Sequence, residues 1–190
     1  MKNLIQDIRN CALCAKHLEL GPRPVLAASK SSKVIIIGQA PGTVVHKSGV
    51  PWEDKSGKNL RTWMEIGNET FYNEEKVALI PMGFCYPGKG KSGDLPPRPE
   101  CAPKWHPELF QQLRHSKLIL LIGKYAQDHY LGKTAKRTLT ETVKNFEDYL
   151  PKYFVLPHPS PRNNIWQAKN PWFKFDVIPA LRSEIRKILP

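Results

Sequence analysis

Four short apolar runs, each followed by a turn and then by a stretch with helical periodicity, constrain this chain more than any other feature. The first, residues 33–38 (Lys33-Val34-Ile35-Ile36-Ile37-Gly38), is continuous rather than alternating, as expected of a strand buried on both faces of a parallel sheet. Residues 77–82, 118–122 and 153–156 repeat the pattern. Between them lie helical segments. Residues 56–67 carry Leu60, Trp63 and Met64 on one face, with Ser56 as expected N-cap and Gly67 as expected stop. Residues 107–115 open on Pro107, a residue tolerated in a first helical turn. Residues 124–131 and 138–146 follow, with residues 4–9 ahead of all strands. Residues 171–189 form a last helical region, expected to kink or restart at Pro179.

Parallel neighbours need a crossover connection, and the crossover covers a face of the sheet. The order therefore predicts an α/β fold, a three-layer α/β/α sandwich around a four-stranded parallel sheet. With 190 residues, 41% of them hydrophobic, one domain over residues 1–190 is expected. No apolar run approaches the roughly 20 residues that span a bilayer, and the start lacks the apolar centre of a signal peptide. A cytoplasmic monomer without a membrane partner is the expectation.

Lys and Arg total 29 against 17 acidic residues, a formal charge of +12. Such an excess fits a polyanionic partner, because surface cations displace counterions from phosphates. Solvated lysines alone would account for part of it.

Ligands in doubly wound folds bind beyond the carboxyl ends of the strands, and the unusual segments fall there. Gly38-Gln39-Ala40-Pro41-Gly42 is a stiff turn with a glycine at each end, directly after the first strand. After the last strand, His158 stands among Pro157, Pro159 and Pro161, which restrict the loop and leave little entropy to lose on binding. Ser160, Arg162 and Asn163 follow it. Residues 83–106 form a long Gly- and Pro-rich connection of the kind that carries function or disorder. Its Gly83-Phe84-Cys85-Tyr86-Pro87-Gly88-Lys89-Gly90 nearly spells a phosphate-binding P-loop. Gly90 lacks the hydroxyl that Mg²⁺ requires, however, and no helix can start there. Cys11 and Cys14 form a C-x-x-C pair, read in a reducing compartment as a metal clamp or a redox pair rather than a structural disulfide.

Taken together, Gly38-Gln39-Ala40-Pro41-Gly42 and His158-Pro159-Ser160 resemble the two signature motifs of uracil-DNA glycosylases. The resemblance spans nearly the whole chain and is closest to the iron–sulfur type called family four. Cys11 and Cys14, separated by two residues, with Cys85 and Cys101, separated by 15, are similar to the cysteine spacing of that type. The resemblance implies a [4Fe–4S] cluster on these four thiolates, with Zn²⁺ as the alternative. It further implies DNA as partner, extrusion of a base from the stack, and hydrolysis of its N-glycosidic bond. By the same resemblance, His158 donates to the anionic leaving base, and the backbone at Gly38, Gln39, Ala40, Pro41 and Gly42 receives its edge. Trp52 stacks on it, Ser160 and Pro161 press on the flanking phosphates, Arg162 fills or holds the gap, and Asn163 is a further DNA contact. Lys89 and Lys91 are candidate backbone contacts.

The chain departs from the family pattern at two places. Gln39 replaces a glutamate and Ala40 stands where other families place a water-activating aspartate; His46, Glu53 and Asp54 are the nearest substitutes. Pro81 and Met82 occupy the place of a base-reading asparagine. A catalytically weak or inactive nucleic-acid-binding homologue with a structural metal cluster is thus the alternative, and a protein whose cluster is itself the sensor a third.

Overall fold

The computed structural model describes residues 1–91 and 93–189. Along the chain its strands are β1 (Val34–Ile37), β2 (Val77–Leu79), β3 (Lys89–Gly90), β4 (Gly93–Asp94), β5 (Leu118–Ile122) and β6 (Tyr153–Leu156). Four of them form the main parallel sheet, in the order β2-β1-β5-β6. Val34 pairs with Val77 on one side and Leu118 on the other, and Ile119 to Ile122 pair with Tyr153 to Leu156. Every residue of β1, β2 and β5 is buried, which is why those segments read as unbroken apolar runs rather than alternating ones. The short antiparallel hairpin of β3 with β4 lies apart from this sheet.

Nine α-helices accompany the strands: α1 (Lys2–Arg9), α2 (Thr43–Ser48), α3 (Lys55–Met64), α4 (Asn68–Phe71), α5 (Cys101–Gln112), α6 (Lys124–Leu131), α7 (Leu139–Lys144), α8 (Asn164–Lys169) and α9 (Ile178–Ile188), counted among the described residues. The helices bury Leu4 and Ile8 of α1, Leu60, Trp63 and Met64 of α3, Leu109 of α5 and Leu181 and Ile185 of α9 in one continuous core with the strands. Fully burying such side chains contributes about 1.5–3 kcal/mol each. Among the described residues no helix is long and apolar enough to cross a membrane.

Several boundaries differ from expectation, each for a local reason. α3 is capped by Asp54, whose Oδ1 accepts from the Gly57 amide at 2.8 Å, not by Ser56; it ends at Glu65 in the left-handed region, ahead of Gly67. α5 starts at Cys101, with Pro107 inside it rather than at its first turn. β2 ends at Leu79: the Ile80 amide still donates to the Ile36 carbonyl of β1, but Pro81 has no amide to offer, and Met82 and Gly83 bond the loop after β1. The last helical region does restart near Pro179: a π-helical turn, Phe173–Val177, runs into α9. The helices α2 and α8 and the β3–β4 hairpin have no counterpart in the sequence pattern. Each is six residues or fewer, too short to show a period.

The strand order places the site. From β1 the chain turns outward to β2, then returns across the sheet to β5 on the other side of β1. The connections leaving β1 and β5 therefore diverge, opening a crevice at the carboxyl ends of these strands. Gln127 holds the far side of that crevice: its buried amide donates to the carbonyls of Leu121 (3.3 Å) and Leu156 (2.9 Å), fixing the exits of β5 and β6 together.

Candidate active site

The loop after β1 is tied to the chain leaving β2. The Met82 amide donates to the Gly38 carbonyl at 2.9 Å and the Gly83 amide to the Gln39 carbonyl at 3.0 Å. Gly38 is needed for a close approach, since a Cβ there would stand 2.5 Å from Cζ2 of Trp52. Trp52 itself has φ of 58°, a left-handed backbone that costs a non-glycine residue about 1–2 kcal/mol. Its carbonyl accepts from Arg61 at 3.2 Å and from the Tyr72 hydroxyl at 3.3 Å, which hold it in that conformation.

The Trp52 ring stacks with the His158 imidazole, the centroids 5.9 Å apart and the planes 27° from parallel. His158 hangs from the end of β6 on a backbone fixed from two sides. Asn163 donates to the His158 carbonyl at 2.6 Å, and Asn59 of α3 donates to the Pro159 carbonyl at 2.9 Å. Burial pushes the His158 pKa below the ordinary 6.5, against the opposing pull of Asp54 and Asp94. Its ring is therefore neutral at pH 7 and can donate one hydrogen bond without carrying charge.

Between these segments lies a cavity of about 650 Å³. Of the residues singled out in the sequence, Gly38, Gln39, Ala40, Pro41, Gly42, Trp52, Lys89, His158, Ser160, Arg162 and Asn163 line it. The lining does not include Pro161 or Lys91. The Ser160 hydroxyl accepts from the Arg162 amide at 3.3 Å, shaping the turn after His158. A smaller recess of about 190 Å³ adjoins it, sharing Gln39, His158 and Asn163 and adding Gly123, Lys124, Tyr125 and Trp166.

The three substitutes for the missing carboxylate fare differently. Asp54 lines the cavity. Glu53 is exposed and does not. His46 is buried outside it, its Nδ1 without a hydrogen-bond partner among the described residues and its ring 5.9 Å from Tyr86; burial, then Arg23, lower its pKa. Pro81, which stands in the place of a base-reading asparagine, also lines the cavity, as do Asp94 and Tyr86, which no signal in the sequence marks. The long connection has no periodic pattern that could place Asp94 or Tyr86.

The Pro81 carbonyl at the cavity wall accepts from Nε2 of His106 at 3.0 Å. A carbonyl can only accept, so Nε2 carries the proton and Nδ1 accepts from the Tyr130 hydroxyl. Burial depresses the His106 pKa to about 4.

The four cysteines come together away from this cavity. Cys11, Cys14, Cys85 and Cys101 line one small apolar hollow of about 20 Å³ with Ile8, Leu18, Phe84 and Trp105. Burial first, with Glu100 for Cys14 and the neighbouring thiols adding to it, raises the pKa of Cys14, of Cys85 to about 11 and of Cys101 to about 12. Such a hollow favours thiolates only when a cationic centre compensates them. Among the described residues no three His, Cys, Asp or Glu side chains converge as a single-ion site.

Over residues 26–182 the chain matches the family model of the uracil DNA glycosylase superfamily. The chain belongs to the uracil-DNA glycosylase superfamily. Members of this superfamily act on DNA and hydrolyse glycosidic bonds, and the matched span contains both the Gly38–Gly42 loop and His158. Cys11 and Cys14 precede that span, and the match leaves the iron–sulfur type open.

Proposed function

We propose that this protein extrudes uracil or a related damaged base from DNA and hydrolyses its N-glycosidic bond, as a base-excision repair glycosylase. The observation that carries the reading is the meeting of His158, the Gly38–Gly42 loop and Trp52 around one cavity. A base cannot be cut inside the stack, and a flipped base needs an aromatic platform, backbone groups for its edge and a donor for the charge that develops. In this reading Trp52 is the platform and His158 the donor. Gly38, Gln39, Ala40, Pro41 and Gly42 receive the base. Ser160, Arg162 and Asn163 hold the strand beside it, with Lys89 supporting the phosphates from the hairpin; Pro161 and Lys91 contact DNA outside the cavity.

A neutral His158 suits an anionic leaving group, because its N–H stabilises charge as it appears without first pairing with a cationic ring. With Pro81 and Met82 in place of a base-reading amide, recognition falls to backbone groups and to Gln39. Uracil and deaminated purines are accordingly the bases to compare. Strand cleavage by alkali after incubation with oligonucleotides containing uracil, hypoxanthine or xanthine tests the reading. Abasic product from one of them is the expected result. Tight DNA binding without abasic product would favour the second reading, a nucleic-acid-binding homologue, to which the carboxylate-free Gln39-Ala40 pair lends weight.

The four thiols are proposed to hold a [4Fe–4S] cluster. What supports a shared metal centre is that all four thiols line one hollow, and the resemblance of their spacing to the iron–sulfur type favours the cluster over zinc. When bound, the cluster would pin the N-terminal segment at Cys11 and Cys14 to the chain at Cys85 and to α5 at Cys101. Iron analysis and visible absorbance of the purified protein decide between iron and zinc.

A further inference from the structure

The loop after β1 supplies no carboxylate, yet hydrolysis needs water delivered to C1′ of the sugar. Among the described residues that line the cavity, the carboxylates are Asp54 and Asp94. Asp54 is committed: its Oδ1 caps α3 through the Gly57 amide. We propose that Asp94 is the residue that activates water, an assignment that rests on the glycosylase reading above.

The β3–β4 hairpin brings Asp94 to the loop after β1. Its Oδ2 is 3.4 Å from where a Cβ on Gly42 would stand, and its Oδ1 lies 3.4 Å from the Tyr86 hydroxyl. Lys89 pairs with it across the hairpin. The neighbouring Gly93, with φ of 150°, leaves room for the Arg162 guanidinium, whose Nη1 would stand 3.1 Å from a Cβ added there. The Asp94 carboxylate is exposed, so water reaches it freely. Asp94 and His158 line the same cavity, which places both groups on one reaction volume.

Leaving group and nucleophile are thus served by different elements, His158 by β6 and Asp94 by the hairpin beyond β2. The C1′–N bond breaks with its electron pair going to the base, which leaves as an anion hydrogen-bonded to His158. The water oxygen bonds to C1′ while one of its protons passes to the Asp94 carboxylate. The products are a 1′-hydroxyl abasic sugar and the base, which regains a proton from solvent as Asp94 releases its own.

Single-turnover base release, read alongside binding of abasic-site DNA, tests the assignment with Asp94→Asn, Asp94→Glu and Asp54→Asn. General-base assistance is worth about 10²–10⁴ in rate. Asp94→Asn should slow release by that factor while binding abasic DNA as tightly as wild type or more tightly, because a negative charge facing phosphate is gone. Asp94→Glu should recover part of the rate. Wild-type release by Asp94→Asn, parallel loss of binding and rate, or the full loss appearing in Asp54→Asn instead would each overturn the assignment while leaving the glycosylase reading intact. A wild-type protein that releases no base from any substrate would remove that reading, and the assignment with it.

Discussion

Gly57→Ala should unseat Trp52 from the cavity wall. A Cβ on Gly57 would stand 1.7 Å from the Trp52 carbonyl oxygen, 2.6 Å from its carbon and 2.8 Å from its Cβ. All of these belong to a residue already in the left-handed region. Relief requires the carbonyl to retreat by about 1.5 Å to reach ordinary contact, which breaks its bonds from Arg61 and Tyr72. These are worth about 1.5 and about 1 kcal/mol respectively. Loosening of the Asp54 cap on Gly57 adds about 1 kcal/mol, and the better helix propensity of alanine returns just under 1 kcal/mol. The net loss is about 2–3 kcal/mol, or roughly 5–10 °C in melting temperature for a chain of this size. Denaturant unfolding measures it, with Gly67→Ala as control: a Cβ on Gly67 meets nothing within 4 Å, so that change should stay within about 0.5 kcal/mol. Base release by Gly57→Ala should fall as well, since the ring facing His158 moves. If Gly57→Ala is as stable and as active as Gly67→Ala, the account of Trp52 as a strained, buttressed platform is wrong.

Burial, a thiol contact and two cations give three other expected outcomes. His106 is neutral when folded, with a pKa near 4, and ordinary when unfolded near 6.5, so the unfolded chain binds the extra proton between those values. Its contribution to stability is complete above about pH 6.5 and is lost on acidification towards pH 4, up to about 3 kcal/mol; His106→Gln should flatten that slope in pH-dependent unfolding. Cys101→Ser should abolish the iron binding proposed above, measured by elemental analysis, and lower the melting temperature even without substrate, because its sulfur also accepts from the Phe84 amide at 3.3 Å. Arg162→Ala and Lys89→Ala should each reduce the salt dependence of DNA binding by about one counterion in a log–log plot.

The sheet is legible in the sequence because its strands are buried on both faces, leaving continuous apolar runs such as Val34–Ile37 and Leu118–Ile122. Both site loops are legible for a related reason: Gly38–Gly42 and the prolines around His158 are backbone devices, and Gly and Pro declare themselves in sequence. What stays hidden depends on tertiary contact. Asp94 arrives on a hairpin of two-residue strands, Asp54 displaces Ser56 as cap through one hydrogen bond, and Asn59 reaches across 100 positions to the Pro159 carbonyl. No local pattern encodes such contacts. The buried His106–Pro81 contact is similar, since a histidine in an amphipathic stretch gives no sign of which carbonyl it will meet.

The central claim, that the mouth between the Gly38–Gly42 loop and His158 receives and cuts out a nucleobase, is tested most directly by chromatographic detection of free base. Wild type and His158→Ala would be incubated with modified oligonucleotides under single-turnover conditions. The account predicts free base from wild type and a rate about 10²–10³ lower for His158→Ala, with DNA binding retained. Equal release by the two proteins would contradict it.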